Sequence, residues 1–271
     1  ECSASSLGGG IYVDADASPL FINCRIMNCD ANDGGGIFCA SESSATFNNC
    51  NIRNNTATST TEDAQPSGGG MFFDSNSITT INDCNIFANT AELGAGFAAY
   101  GTAQVNINKS QLRNNTASAD GGGGYWTNAN VVILDSSIIA NKALRGGGLW
   151  YQNTLETTIS GCTINLNTAG TIDANDPDPS DPNFLNLGQG GGIYAFSANS
   201  IITDCKIRNN SAYTSGGGIY LAGGSKAPQI INNLIESNLA GRDGGGISVN
   251  WQSSPLITSC TFVSNTAPGI Y

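Results

Sequence analysis

The sequence predicts an all-β fold, a single-domain parallel β-helix of about nine coils, from three features of its 271 residues. A glycine triplet followed by an apolar residue recurs along the whole chain. Several columns keep one residue type at a constant distance from a repeating cysteine position. The apolar residues lie two and three apart in runs rich in Ile, Thr and Asn, which favours short strands and turns over helices. A repeat of this length is typical of solenoids, in which each unit packs only against its neighbours.

The glycine triplets divide the chain into nine units. Seven triplets are complete, and we assign Gly94-Ala95-Gly96-Phe97 and Gly122-Gly123-Gly124-Tyr125 to the other two units. The first glycines stand at Gly8, Gly34, Gly68, Gly94, Gly122, Gly146, Gly190, Gly216 and Gly244. We expect each triplet to lead into the first strand of a coil, where glycine permits a positive φ or a close approach of two coils.

A repeating cysteine position anchors the columns, which read Cys24, Cys50, Cys84, Ser110, Ser136, Cys162, Cys205, Asn233 and Cys260. Apolar residues stand three positions before this anchor and two after it, as at Ile138, so we expect both columns to point inward. The pattern fits a coil of about 26 residues with three short strands, each paired in parallel with the same strand of the next coil. Like residues would then stack about 4.8 Å apart.

An asparagine ladder is expected five residues after the anchor. That column reads Cys29, Asn55, Asn89, Asn115, Asn141, Asn167, Asn210, Asn238 and Asn265. Stacked Asn side chains can bond to the turn backbone and to each other, and Asn tolerates left-handed backbone. We interpret this column as structural.

The repeats continue without a break, so we predict one domain over residues 1–271. Two insertions, at residues 58–67 and 170–189, fall at the same point of the coil, just before a triplet. Cys2-Ser3-Ala4 resembles the end of a coil, and residues 266–271 resemble the start of a tenth. We therefore expect a fragment of a longer solenoid.

The strand after each triplet predicts an aromatic face. Its second position should point outward, because side chains alternate along a strand. Seven of nine such positions are aromatic, with Trp126 and Trp150 near the middle: Tyr12, Phe38, Phe72, Ala98, Trp126, Trp150, Tyr194, Tyr220 and Ser248. A large exposed aromatic surface is normally covered by another molecule or by another part of the chain. A glycan, a partner protein, a second copy or the chain's own insertions could supply it.

Composition excludes several classes of partner. The net charge is −11 with few charged residues, which argues against nucleic acid as a partner. The sequence contains no run of eighteen apolar residues, so we expect no membrane-spanning segment. The scarcity of Lys and the abundance of Asn, Thr and Ser favour an extracellular or cell-surface protein.

Two small sites are candidates. Asp173, Asp176, Asp178 and Asp181 lie close together in the second insertion and could bind Ca²⁺, although a solvated proline-rich loop is the alternative. Cys2 and Cys29 occupy the asparagine column in adjacent coils, at a spacing that suits a disulfide. The anchor cysteines are expected to be packed, reduced thiols. No other cofactor is expected.

Catalysis has little support in the sequence. The chain contains no histidine, which excludes Ser-His, Cys-His and His-metal sites. Asp33, Asp120 and Asp243 precede triplets, and Asp14 and Asp74 lie on the aromatic face. A pair of carboxylates of the kind that glycosidases use therefore remains an alternative. Arg145 and Arg242 lie beside the face. None of these groups forms a recognisable constellation, so we name no catalytic residues.

The repeated motif GGG-[apolar], followed by [Ile/Leu/Phe]-x-x-Asn, resembles the GGA[ILV] and FxxN repeats of the polymorphic outer membrane proteins, the chlamydial autotransporter adhesins. Phe262-Val263-Ser264-Asn265 matches FxxN literally, whereas the third triplet residue is Gly in place of Ala. The resemblance implies a right-handed parallel β-helix, a fold that it shares with pectate lyases. It also implies a structural or adhesive protein that presents the aromatic face to a partner. The alternative is a polysaccharide-binding or polysaccharide-degrading module.

Overall fold

The computed structural model describes residues 2–59, 65–154, 156–170, 187–224 and 226–269. Within these ranges the chain forms four parallel sheets of nine strands each, so the prediction of a parallel β-helix of about nine coils is confirmed. The sequence predicted three strands per coil, whereas a coil here has four. The additional strand, next to the alanine that follows each ladder asparagine, is often only two residues long and leaves no periodicity to read.

The triplet sheet follows the glycines and consists of β2 (Ile11–Val13), β6 (Ile37–Cys39), β10 (Met71–Phe73), β14 (Phe97–Tyr100), β18 (Gly124–Thr127), β22 (Leu149–Gln152), β26 (Ile193–Phe196), β30 (Ile219–Ala222) and β34 (Ile247–Val249). The pre-anchor sheet consists of β3 (Leu20–Ile22), β7 (Ser44–Asn48), β11 (Ile78–Asn82), β15 (Gln104–Asn108), β19 (Asn130–Leu134), β23 (Thr157–Ser160), β27 (Ser200–Thr203), β31 (Gln229–Ile231) and β35 (Leu256–Thr258).

The post-anchor sheet consists of β4 (Arg25–Met27), β8 (Asn51–Arg53), β12 (Asn85–Phe87), β16 (Gln111–Arg113), β20 (Ser137–Ile139), β24 (Thr163–Asn165), β28 (Lys206–Arg208), β32 (Leu234–Glu236) and β36 (Thr261–Val263). The alanine sheet consists of β1 (Cys2–Ser3), β5 (Cys29–Ala31), β9 (Thr56–Ala57), β13 (Thr90–Leu93), β17 (Thr116–Asp120), β21 (Lys142–Ala143), β25 (Thr168–Ala169), β29 (Ser211–Ala212) and β33 (Leu239–Ala240).

Residues that share a column of the sequence repeat are paired in register between neighbouring coils. Ile81 pairs with Phe47 in one direction and Ile107 in the other, so each column contributes one residue per coil to a continuous apolar stack. Ile138 pairs with Leu112 and Ile164, and it is fully buried, as predicted for its column. The interior of the coil is therefore a single elongated hydrophobic core.

The asparagine ladder satisfies its own polar atoms. Asn141 Nδ2 donates to Leu112 O at 2.9 Å and to Asn167 Oδ1 at 3.0 Å. Its Oδ1 accepts from the backbone N–H and the side-chain Nδ2 of Asn115, both at 3.0 Å. The same pattern recurs from Asn55 to Asn238. A buried amide is thus paired in each coil from Asn55 to Asn238, which removes the penalty for burying it.

The left-handed backbone lies one residue before the ladder, not on it as expected. Asn114 and Asn209 have φ of 53° and 52°, while the ladder residues Asn115 and Asn210 do not have positive φ. Asn therefore serves two purposes in adjacent columns, because the first tolerates the left-handed turn and the second satisfies buried backbone groups.

The triplet glycines are required by the close approach of coils. A Cβ on Gly35 would collide with the carbonyl oxygen of Thr56 and approach that of Gly69 to 2.7 Å. The first glycine of the triplet has a different reason, since Gly34 has φ of 61°. Both expected roles of glycine are thus present within one triplet.

Candidate functional site

The outward second positions of the triplet sheet form one continuous stack of rings. Most neighbouring rings lie nearly parallel, with interplanar angles of 5° for Tyr12 and Phe38 and 3° for Trp150 and Tyr194, whereas Tyr100 is tilted by 46° from Tyr125. The stack consists of Tyr12, Phe38, Phe72, Tyr100, Tyr125, Trp150, Tyr194 and Tyr220. Centroids of consecutive rings are 4.5 to 5.7 Å apart.

Tyr100 fills the place that Ala98 leaves open. Its centroid lies 5.2 Å from that of Phe72 and 5.6 Å from that of Tyr125, although it comes from the fourth position of its strand. The Tyr100 hydroxyl lies 2.9 Å from Ser67 Oγ. The small side chain of Ala98 thus creates the space that keeps the stack unbroken.

Trp126 does not belong to the aromatic face. The strand pairing aligns Tyr125 with Trp150, and Trp126 with the interior residue Tyr151. Trp126 is fully buried, stacks on Tyr151 at 4.7 Å, and donates from Nε1 to Thr157 Oγ1 at 3.1 Å. Its assignment to the outward face was wrong by one residue, because the triplet of this unit begins at Gly121, which has the positive φ of a first triplet glycine.

The rest of the strip is also less exposed than expected. Tyr12 is 50% exposed, but Phe38, Phe72, Tyr125, Trp150, Tyr194 and Tyr220 are only 5 to 9% exposed. From Phe38 to Tyr194 each ring has a neighbouring ring on both faces, and residues such as Leu7 and Leu93 belong to the same cluster. A ligand can therefore reach ring edges and hydroxyl groups along this stack, but not the ring faces between them.

A cleft of about 470 Å³ opens beside the second half of the stack. Its floor comes from the edges of Tyr125, Trp150, Tyr194 and Tyr220, which places three tyrosine side chains along one groove. The remaining walls are Gln65, Leu93, Asp120, Arg145, Gln152, Gln189, Phe196, Ala222 and Trp251. Gln65 and Gln189 are described ends of the two insertions, so both insertions reach the margin of this cleft.

Arg145 and Asp120 form a bidentate ion pair on one wall of the cleft. Arg145 Nε lies 2.7 Å from Asp120 Oδ1, and Nη2 lies 2.5 Å from Oδ2. Burial raises the pKa of Asp120 although the Arg145 guanidinium opposes this shift. The guanidinium carbon also lies 5.9 Å from the Trp150 ring centroid and 5.8 Å from that of Tyr194. Both residues were separate candidates in the sequence but were not paired there, because the one-residue shift of the Gly121 triplet hid that they are register partners in adjacent coils.

Trp251 was also missed by the sequence interpretation. It stands in the turn after β34 with a φ of 50°, and its side chain is 64% exposed. The same position in other coils is occupied by residues that accept this backbone, such as Asn128 and Asn153. Trp251 reaches back across one coil to meet Phe196 edge to face at 6.2 Å. The signal in the sequence was an aromatic residue at a turn position that favours Asn or Gly.

Each of the other candidate carboxylates makes a contact of its own, away from Asp120. Asp14 and Asp74 accept from the next backbone N–H in their turns, at 2.9 and 2.7 Å. Asp33 accepts from the N–H of Ser67 at 2.8 Å, and burial raises the pKa of its carboxyl. Asp243 lies 3.4 Å from Arg242. The contacts thus distribute these residues among turns and coil-to-coil bonds without assembling a carboxylate pair at the cleft.

Of the two small candidate sites, the structure describes the cysteine pair but not the aspartate cluster. Asp173, Asp176, Asp178 and Asp181 lie outside the described residues, where the structure gives no information on Ca²⁺. In the described part no group of three or more His, Cys, Asp or Glu side chains is arranged to hold a metal. Cys2 and Cys29 are direct register partners on β1 and β5, and both are thiols in the structure, so their disulfide stays a prediction.

Comparison with known proteins addresses the fold. The family model described as "Right handed beta helix region" matches residues 1–133 and 95–271, which together span the chain. The chain belongs to the right-handed β-helix family. No curated protein and no solved structure matches it. The resemblance to autotransporter adhesins is therefore not tested by these comparisons.

The described part of the chain contains no helix that is long and apolar enough to cross a membrane.

Proposed function

We propose that this β-helix protein is an adhesive protein that acts outside the cell and binds a neutral glycan in the cleft beside the aromatic stack, without cleaving it. The observation that carries this proposal is the chemistry of the cleft walls. Gln65, Gln152 and Gln189 contribute amides, and Asp120 and Arg145 neutralise each other. Such a lining suits a ligand with many hydroxyl groups and no charge.

The tyrosines of the floor support a neutral ligand. Burial raises the pKa of both Tyr125 and Tyr194 to about 12, so these phenols stay protonated at neutral pH. A protonated phenol both donates and accepts a hydrogen bond, as a sugar hydroxyl does. The ring faces are covered, so the exposed indole of Trp251 is the surface on which a sugar ring would stack.

The non-catalytic part of the proposal rests on the acid groups. Glycoside hydrolysis ordinarily needs two carboxyl groups across the scissile bond. Asp120 is the one carboxylate that lines the cleft in the described part of the chain, and both of its oxygens bond to Arg145. The cleft is accordingly better equipped to hold a saccharide than to cleave one.

The test is a binding assay against immobilised glucans, mannans, galactans and xylans, combined with measurement of released reducing ends. We expect retention on at least one neutral polysaccharide with no release of reducing ends. Trp251→Ala and Gln152→Ala should each weaken that binding about tenfold, by loss of a stacking surface or a hydrogen-bond partner.

Tyr12→Ala is the matched control, because Tyr12 is an exposed aromatic residue of the same stack outside the cleft. Its binding should equal that of the unmodified protein. Lack of retention on every neutral polysaccharide would contradict the proposed ligand, and release of reducing ends would contradict the non-catalytic role.

A further inference from the structure

We infer that a second site, on the post-anchor sheet, binds an acidic polysaccharide through Arg53, Phe87 and Arg113. These residues occupy the third position of β8, β12 and β16, and the pairing of these strands places Phe87 directly between the two arginines. Third positions point outward here, since the second-position residues Ile52, Ile86 and Leu112 are fully buried. The three side chains thus form one short outer column.

Phe87 holds both guanidinium groups in place. The guanidinium carbon of Arg113 lies 4.2 Å from the Phe87 ring centroid, and that of Arg53 lies 5.8 Å from it. Arg113 Nε also donates to Asn85 Oδ1 at 3.2 Å, and Arg53 Nη2 contacts Met27 Sδ at 3.4 Å. Groups that are already oriented lose less conformational entropy when a ligand binds.

Neither guanidinium has a carboxylate partner in the part of the chain that the structure describes. Among the described residues the ion pairs join Arg145 to Asp120, Arg208 to Glu236 and Arg242 to Asp243, and none includes Arg53 or Arg113. In a chain with a net charge of −11, two unpaired and oriented arginines on one column are an unusual concentration of positive charge. At physiological ionic strength the Debye length is about 8 Å, so distant acidic residues are largely screened from this column.

The spacing of the two arginines favours a polymer with regularly repeated acid groups. They stand two coils apart, which corresponds to about 9.6 Å at the spacing of neighbouring strands. A polysaccharide with a carboxylate or sulfate group on at least every second sugar can present acid groups at a comparable interval along a straight chain. Planar guanidinium groups bind such oxyanions through two parallel hydrogen bonds.

Hydroxyl and amide groups flank the column and complete the site. Asn54 and Asn114 directly follow the arginines, and Thr56 and Thr116 stand two residues further on in β9 and β17, all at the same levels of the rod. A saccharide chain along the column would meet these polar groups beside the acid groups that the arginines bind. The site lies two sheets away from the triplet sheet in either direction around the coil, so it is separate from the cleft.

The test measures binding of the full chain to dextran sulfate and to uncharged dextran at low and at physiological salt. We expect binding to dextran sulfate that weakens as salt rises, and none to dextran at this site. Arg53→Ala and Arg113→Ala should each weaken binding about tenfold, and Phe87→Leu should weaken it by a smaller factor.

Arg208→Ala is the matched control, because Arg208 occupies the same outer column but lies 3.8 Å from Glu236. It should bind dextran sulfate as the unmodified chain does. The inference is overturned if Arg53→Ala and Arg113→Ala bind normally, or if Arg208→Ala loses as much affinity. Equal binding of polyglutamate would overturn the assignment to a polysaccharide. Retention on neutral polysaccharides should be unchanged in Arg53→Ala/Arg113→Ala, which separates this site from the cleft.

Discussion

Trp126 and Trp150 lie in adjacent coils but have different structural roles. Trp126 is an interior residue between Phe97 and Tyr151, whereas Trp150 is a member of the outer stack and lines the cleft. The indole Nε1 of Trp126 is bonded to Thr157, while that of Trp150 is buried with no acceptor among the described residues. One residue of register therefore separates a core position from a surface position.

Trp126→Ala should destabilise the protein strongly. Replacing a fully buried Trp by Ala ordinarily costs about 3–5 kcal/mol, because the lost contacts leave a cavity. Thermal melting followed by circular dichroism measures the effect. Trp251→Ala is the control and should melt within a few degrees of the unmodified protein, since Trp251 is largely exposed. If the two variants melted alike, Trp126 would not be a core residue.

At the scale of one element, the outer stack depends on the exchange between Ala98 and Tyr100. The second position of β14 is small, and the fourth position supplies the ring that joins Phe72 to Tyr125. An aromatic residue at position 98 would compete with Tyr100 for the same space. The continuity of the stack therefore depends on two positions in this coil, Ala98 and Tyr100, and on the second strand position in the coils on either side.

This exchange predicts a compensating pair of substitutions. Ala98→Tyr alone should lower the melting temperature, because overpacking costs about 1–3 kcal/mol. Ala98→Tyr combined with Tyr100→Ala should recover most of that loss, since it restores one ring per coil. A double-mutant cycle measures the coupling. Additive effects of the two substitutions would mean that Tyr100 does not occupy the place left by Ala98.

The columns could be predicted from the sequence because each repeats one requirement in every coil. The inward position of Ile138 and the asparagine ladder follow from recurrence alone. The cleft could not be predicted in this way, because it is built from exceptions to the repeat. Gly124 extends one triplet by a residue, Arg145 and Asp120 pair across two coils, and Trp251 replaces a turn residue. The register error at Trp126 came from the same source, since four consecutive glycines allow two alignments.

At the scale of the whole molecule, the coils depend on their neighbours in series. Among the described residues, strands pair only with the corresponding strands of the preceding and following coils, so backbone pairing does not join distant coils directly. Stability in such a solenoid is approximately a sum of repeat and interface terms. The cleft and the arginine column also use residues from several consecutive coils, and both sites therefore depend on the integrity of this series.

Ile138→Asp should unfold the middle of the solenoid before its ends. Ile138 is fully buried in β20, so the substitution loses a buried side chain worth about 2–5 kcal/mol and places an unpaired carboxyl in the core. Ile139→Asp is the control, since Ile139 is the adjacent outward residue and is only partly buried. Hydrogen exchange read by mass spectrometry should show protection lost first around β16, β20 and β24 in Ile138→Asp. Protection in Ile139→Asp should stay close to that of the unmodified chain. Uniform loss along the whole rod would instead mean that the nine coils unfold as one cooperative unit.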